Sequence, residues 1–309
     1  MDIPIIQPPK LRRGDTISIV APGSTIEKRD LLQAGISTLE RMGFQVRFED
    51  RIFHSFRYLA GSDSARAEEL MSAFEDPSVR AIMALRGGYG CSRLIPYLME
   101  KRLRPHPKIF VGFSDLTTLH MFFRRRFGWI TIHGPMAASP SLGSIAADQE
   151  KHFLSLLTDP DYRPVLGFDR LETWFPGKAE GILTGGCLSI IAASIGTPYE
   201  IKTEGKILFL EDRGEPPYRL DRMLTHLSLA GKLQSVSGVL MGDFLECEPT
   251  TGNYTGFDTL REILTGLRVP ILAGFPAGHG PENWALPLGA KVRLDADSRT
   301  IEFLDSAVQ

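Results

Sequence analysis

The sequence predicts an α/β protein: an N-terminal parallel-sheet α/β domain, then a C-terminal α/β domain that also contains β-strands. Three observations carry this expectation. Residues 16–126 alternate short apolar runs with amphipathic helical patterns, the rhythm of strand–helix–strand units in a parallel sheet. A stretch rich in Pro, Gly and charge, TDPDYRPVLGFDRLETWFPGKAE at 158–180, then interrupts that rhythm. A second set of strand-like runs follows it, and 309 residues are enough for two ordinary domains.

The elements follow in order. TISIVA at 16–21 is a β-branched run that ends at Pro22-Gly23-Ser24. Leu31, Leu32, Ile36, Leu39 and Met42 share one face of a helix over 29–42, and Gly43 closes it. Residues 44–48 alternate as a strand. Then come a helix near 63–75, a strand at 80–85, a helix near 91–101, a strand at 108–112 and a helix near 115–126. Beyond the break, KILFLED at 206–212 is a strong strand and 218–230 a helix, with further strands at 237–241, 270–274 and 291–294. These patterns predict a first domain over 1–168, a linker over 169–180 and a second domain over 181–309.

Composition narrows the function classes. The chain is 43% hydrophobic and 23% charged, and 35 basic against 37 acidic residues leave a net charge of −2. That balance offers no electrostatic reason to expect nucleic acid or an anionic membrane as partner. The local cluster Arg124-Arg125-Arg126 falls where a helix ends and complements the helix dipole there. Three dispersed cysteines form no C-x-x-C pair and no disulfide framework, which fits a reducing compartment. The start, MDIPIIQPPKLRRGD, lacks the apolar core of a signal peptide, and no apolar run reaches spanning length. The expectation is a soluble cytoplasmic protein.

Open α/β sheets place their sites at the carboxyl ends of strands. Three loops fall there: APGST at 21–25, RGGYG at 86–90 and FSD at 113–115. Ser114 has two readings. It caps the following helix, or it is a nucleophile on a sharp strand-to-helix turn, as in G-x-S-x-G elbows. Gly112-Phe113-Ser114-Asp115-Leu116 lacks the second glycine of that motif. If the elbow forms, the backbone N–H of Asp115 points at a developing oxyanion. A serine nucleophile needs a base and a residue that orients it. Among seven histidines, His279 stands out because Gly278 and Gly280 flank it, so that backbone can approach closely; it is a base or a turn histidine. Glu211 ends the apolar run Ile207–Leu210, where a desolvated carboxylate calls for a partner such as an imidazole. Asp212 points to the other face by the strand period. RGGYG lacks the spacing of a dinucleotide loop or a P-loop, so nucleotide binding has little support. A second oxyanion N–H fits it better, and Arg86 pairs with a substrate carboxylate or with a surface acid.

Together these segments resemble the LD-carboxypeptidases, serine peptidases of muropeptide recycling that include the microcin-immunity peptidases. The matching stretches are PKLRRGDTISIVAPGS at 9–24, ALRGGYG at 84–90, GFSDLT at 112–117, GGCLS at 185–189, LEDRGEPPYRLDRML at 210–224 and GHGPENWALPLG at 278–289. The resemblance implies a triad of Ser114 as nucleophile, Glu211 as orienter and His279 as base. It implies an oxyanion hole from the N–H groups of Asp115 and Gly88, with Arg86 and Gly87 near the substrate. It further implies an active site between the two domains, a cytoplasmic homodimer, and no metal or other cofactor. The substrate implied is a murein tetrapeptide that loses its terminal D-alanine. The alternatives are a microcin-type peptide–nucleotide conjugate, for which Trp174 would offer an aromatic platform unless it is simply a tryptophan packed between the domains, and a silent muropeptide binder.

Overall fold

A computed structural model describes residues 3–27, 29–100, 106–249 and 251–309. The chain forms two compact units. The first runs to Tyr162 and also takes Trp284–Pro287 and Ala307–Gln309; the second is Arg163–Asn283 with Leu288–Ser306. The strands are β1 Thr16–Val20, β2 Gln45–Arg47, β3 Val79–Ala84, β4 Ile109–Gly112, β5 Thr131–His133, β6 Val165–Leu166, β7 Glu172–Phe175, β8 Lys178–Cys187, β9 Ile207–Arg213, β10 Gly238–Leu245, β11 Ile271–Ala273, β12 Leu286–Leu288, β13 Lys291–Asp295 and β14 Thr300–Phe303.

In the first unit the sheet order is β12-β5-β4-β3-β1-β2, and β1 to β5 pair in parallel. Helices Asp30–Arg41, Asp63–Glu75 and Thr117–Phe127 connect these strands. Both faces of β4, and of β3 beyond the exposed Arg80, are buried, which is why they read as apolar runs and not as alternation. Phe74 packs on Phe110, Phe123 and Trp129, with the closest ring centroids 5.1 Å apart. Such aromatic clusters fix a helix against a sheet through area and edge-to-face geometry.

In the second unit the order is β6-β14-β13-β8-β9-β10-β11-β7. Its centre, β8 to β11, is parallel, while β13, β14 and β6 on one side and β7 on the other are antiparallel. The stretch 169–180, expected as a linker, holds β7 and the start of β8. Its Pro and Gly residues interrupt pattern without preventing pairing, because its strands find their partners far away in sequence. The stretch 136–150 contains a short helix, Pro140–Gly143, and the start of another, Ala147–Thr158. The helix expected near 91–101 is a 3₁₀ turn, Cys91–Leu94, followed by a helix over Ile95–Glu100; residue 101 lies outside the described residues. Among the described residues no helix is long and apolar enough to cross a membrane.

Candidate active site

In the first unit, β4 runs into a tight turn at Phe113-Ser114-Asp115. Ser114 has φ +64°, a left-handed backbone that side-chain-bearing residues rarely adopt. Phe113, in extended conformation, is the residue that precedes the 3₁₀ turn Ser114–Leu116, so Ser114 does not take the helix-cap position. Strain of this kind costs about 1–3 kcal/mol and persists only where the surroundings over-determine it. The surroundings are visible. A Cβ on Gly87 would come within 2.9 Å of Ser114 Cβ and 3.1 Å of its Oγ, so the RGGYG backbone lies directly on the serine. Gly88 backs instead onto the Ser24 hydroxyl. Ser24 donates to the Tyr58 carbonyl at 2.6 Å and tethers a third loop. Arg86 is exposed, and its Nη1 donates to the Thr25 carbonyl at 3.2 Å.

Asp115 is buried and accepts the Cys91 N–H at 2.9 Å. Burial raises its carboxyl above the usual range, against the opposing pull of Cys91 and the Arg66 charge. Behind the turn, buried His120 bridges the Gly112 carbonyl and the Thr131 hydroxyl, both at 2.8 Å. A carbonyl only accepts, so Nε2 carries the proton and Nδ1 accepts from Thr131. Burial lowers the His120 pKa to about 4, which keeps the ring neutral.

In the second unit, Glu211 lies on the central strand β9 and is fully buried. Its Oε2 is 2.7 Å from His279 Nδ1. Opposite Glu211 the β9–β10 register shifts between Met241 and Phe244, so that Gly242 and Asp243 together face one residue. This bulge makes room: a Cβ on Gly242 would meet the Ala277 carbonyl and Glu211 Cβ. The His279 loop then approaches. Gly278 sits at φ +127°, and a Cβ there would fall 2.6 Å from Glu211 Oε2. A Cβ on Gly280 would collide with the Asp243 carboxylate. The two glycines are therefore what allows the imidazole to reach the carboxylate. Asn283, also fully buried, accepts the Gly278 N–H at 3.1 Å and anchors the loop.

The electrostatics follow from burial and this pairing. Desolvation raises the Glu211 carboxyl, partly countered by His279. For His279, burial is the largest single influence and lowers its pKa. The Glu211 hydrogen bond and charge, with the Asp212 charge, outweigh it and leave the pKa above its ordinary 6.5. Asp212 faces the other way, accepting the Ser189 N–H at 2.7 Å, as the strand period predicts. With Nδ1–H held by Glu211, the neutral ring has Nε2 as its acceptor, the state a general base needs. Among the described residues no cluster of His, Cys, Asp or Glu could hold a metal ion.

Trp174 packs within the second unit. It meets Phe257 edge-on at 5.6 Å, lies under the Arg261 guanidinium at 5.9 Å, and donates Nε1–H to Glu172. Sequence reasoning passed over Arg66, Asp243 and Asn283. For Arg66 there was a signal: it stands four residues before Leu70 on the apolar face of its helix, where a charge needs a buried partner.

Comparison with known proteins gives the lineage. The LD-carboxypeptidase N-terminal domain matches residues 17–134, and the LD-carboxypeptidase C-terminal domain matches 180–294. A probable murein peptide carboxypeptidase of Bacillus subtilis is 35% identical, the match covering 95% of this chain and 93% of the relative. A murein tetrapeptide carboxypeptidase of Pseudomonas aeruginosa is 33% identical over 91% and 93% of the two chains. Among solved structures, a muramoyltetrapeptide carboxypeptidase from Oxalobacter formigenes superposes with a TM-score of 0.80 at 30% identity, covering 93% of this chain and 97% of that one. MccF in complex with glutamyl sulfamoyl guanosine reaches 0.87 at 24% identity over 98% and 99%, a likeness of fold. With both family domains matched in order and full-length relatives above 30% identity, the chain belongs to the LD-carboxypeptidase family.

Proposed function

We propose that the protein is a serine LD-carboxypeptidase that removes the terminal D-alanine from murein tetrapeptides. The observation that carries this is the buried Glu211–His279 bond at 2.7 Å, which sets the imidazole up as a base. Ser114, on its left-handed turn, is the nucleophile of this reading. The names of the relatives at 33–35% identity support murein peptides as the substrate class.

The chemistry runs as follows. His279 Nε2 takes the Ser114 proton as Oγ attacks the carbonyl of the bond between the diamino acid and D-alanine. The N–H groups of Asp115 and Gly88 stabilise the tetrahedral oxyanion. The C–N bond breaks, and His279 gives its proton to the departing D-alanine amine. Water, deprotonated by His279, then releases the tripeptide and regenerates Ser114. Arg86, exposed and donating to the Thr25 carbonyl, receives the D-alanine carboxylate.

The test is incubation of wild type and Ser114→Ala with murein tetrapeptide, followed by mass spectrometry. Loss of one alanine with wild type alone supports the reading. Loss with both variants refutes Ser114 as nucleophile. Loss with neither turns attention to peptide–nucleotide conjugates and then to a silent binder. The conjugate reading has less support, because Trp174 is buried and already packs against Phe257 and Arg261.

A further inference from the structure

We propose that Arg66 is a positioning residue for this reaction: its buried guanidinium holds the APGS and RGGYG loops at the height the nucleophile turn needs. The inference rests on the reading of Ser114 and Asp115 given above.

Arg66 sits in the first turn of helix Asp63–Glu75 and is fully buried. Its Nη1 donates to the Pro22 carbonyl and to the Gly90 carbonyl, the latter at 3.0 Å. Its Nη2 donates to Asp63. Arg93 grips the same Asp63 carboxylate in a fork, with bonds of 2.8 and 2.6 Å, so the guanidinium plane is held from behind. One side chain therefore fixes a carbonyl in each of two loops that are far apart in sequence.

The residue after each carbonyl bears on the turn. Gly23 follows Pro22, and a Cβ there would stand 2.7 Å from the Gly87 carbonyl and 3.1 Å from Asp115 Oδ2. Ser24 N–H donates to that same Gly87 carbonyl at 3.0 Å. Cys91 follows Gly90 and donates its N–H to Asp115 at 2.9 Å. Gly87 itself lies on Ser114. Thus the chain of contact from Arg66 to the nucleophile passes through two hydrogen bonds on either side. Gly90 bears the mark of this role: at φ +137° it leaves the guanidinium only 2.7 Å from where a Cβ would be. Arg66 also supplies a positive charge near the buried Asp115 carboxyl, whose burial otherwise favours the neutral form.

An apolar residue would serve to pack this helix on the sheet. Only a planar fork with several N–H donors can hold two carbonyls and a carboxylate at once, and lysine, a point charge on a flexible stem, cannot. A misplacement of about 1 Å near reacting groups costs on the order of 10²-fold in rate. The expected signature of Arg66→Lys is therefore a fall in kcat of about 10²-fold with KM changed by less than about threefold.

The experiment measures kcat and KM on murein tetrapeptide, the rate of Ser114 labelling by a fluorophosphonate, and Tm. It compares wild type, Arg66→Lys and Leu70→Ala, the last an apolar core variant of the same helix. A selective fall in kcat and labelling for Arg66→Lys, beyond that of Leu70→Ala, supports the proposal. Equal losses in the two variants, or an Arg66→Lys enzyme within about threefold of wild type, overturn it. If Arg66→Lys does not fold, Gly90→Ala addresses the same contact from the loop side, and full retention of kcat there overturns the proposal. A wild type that neither cleaves the peptide nor labels at Ser114 removes the underlying reading and this inference together.

Discussion

Glu211→Gln tests the core of the reading. The substitution keeps the shape and removes the charge at a fully buried site 2.7 Å from His279 Nδ1. Two effects follow. A hydrogen bond to a charged group is worth about 1.5–3 kcal/mol, or roughly ten- to 150-fold in rate. Loss of the carboxylate at the orienting position of a Ser-His-Asp triad costs about 10⁴-fold, because the tautomer is no longer enforced. The expected fall in kcat/KM therefore lies between about 10 and 10⁴-fold. The pH profile gives a second, independent signature. On the proposed mechanism the base must be neutral, so wild-type activity should be lost as pH falls through a His279 pKa held above 6.5. Without Glu211 the main upward influence is gone while burial, which lowers the pKa, remains. The acid-side midpoint of kcat/KM should therefore move from above 6.5 to a lower pH, even as the plateau drops. The assay is D-alanine release across about pH 5 to 9, with Tm recorded for each protein. A lowered plateau with an unmoved midpoint would show that Glu211 acts through packing alone and would refute the electrostatic argument.

Two further outcomes are expected. Gly87→Ala places a methyl 2.9 Å from Ser114 Cβ at a position with no positive φ, so the effect is steric; kcat should fall about 10²-fold with little change in Tm, and normal activity would show that the loop yields freely. His120 is held neutral with a pKa of about 4 against an ordinary 6.5, so the folded state binds fewer protons than the unfolded state between those values. Stability from this group is present above pH 6.5 and is lost as pH falls towards 4, by roughly 2 kcal/mol between pH 7 and pH 5. Urea unfolding at the two pH values should show a smaller change for His120→Gln than for wild type, and equal changes would exclude His120 as a source.

Periodicity made much of the scaffold legible. The helix expected over 29–42 is Asp30–Arg41, and that expected near 63–75 is Asp63–Glu75. Their apolar residues recur with the helical period, and Gly43 or Asp76-Pro77 stops them. The strand at 109–112 was visible as an apolar run because both its faces are buried, and those at 16–20 and 79–84 as a β-branched run and a mostly apolar one. β12 was not visible: Leu286-Pro287-Leu288 contains a proline, which pattern reasoning reads against a strand. Proline is tolerated there because β12 lies at the edge of its sheet. β6 and β14 are short and exist through pairing with each other and with β13, which local propensity does not encode.

The sequence alone therefore determined the α/β class, the loops at strand ends, and residues capable of nucleophile, base and orienter chemistry, since these depend on residue type and local period. Tertiary structure decided what those residues became. The φ of +64° at Ser114 is imposed by loops that press on it, and nothing in Gly-Phe-Ser-Asp-Leu encodes that sign. The Glu211–His279 bond joins residues 68 apart, across a bulge in β10 that no pattern announces. Arg66 is an ordinary helical arginine until the carbonyls of Pro22 and Gly90 surround it. The physical reason is common to all three. A hydrogen bond or a steric stop in a buried site depends on where distant backbone arrives, and that position is a property of the packed sheet and not of the local chain.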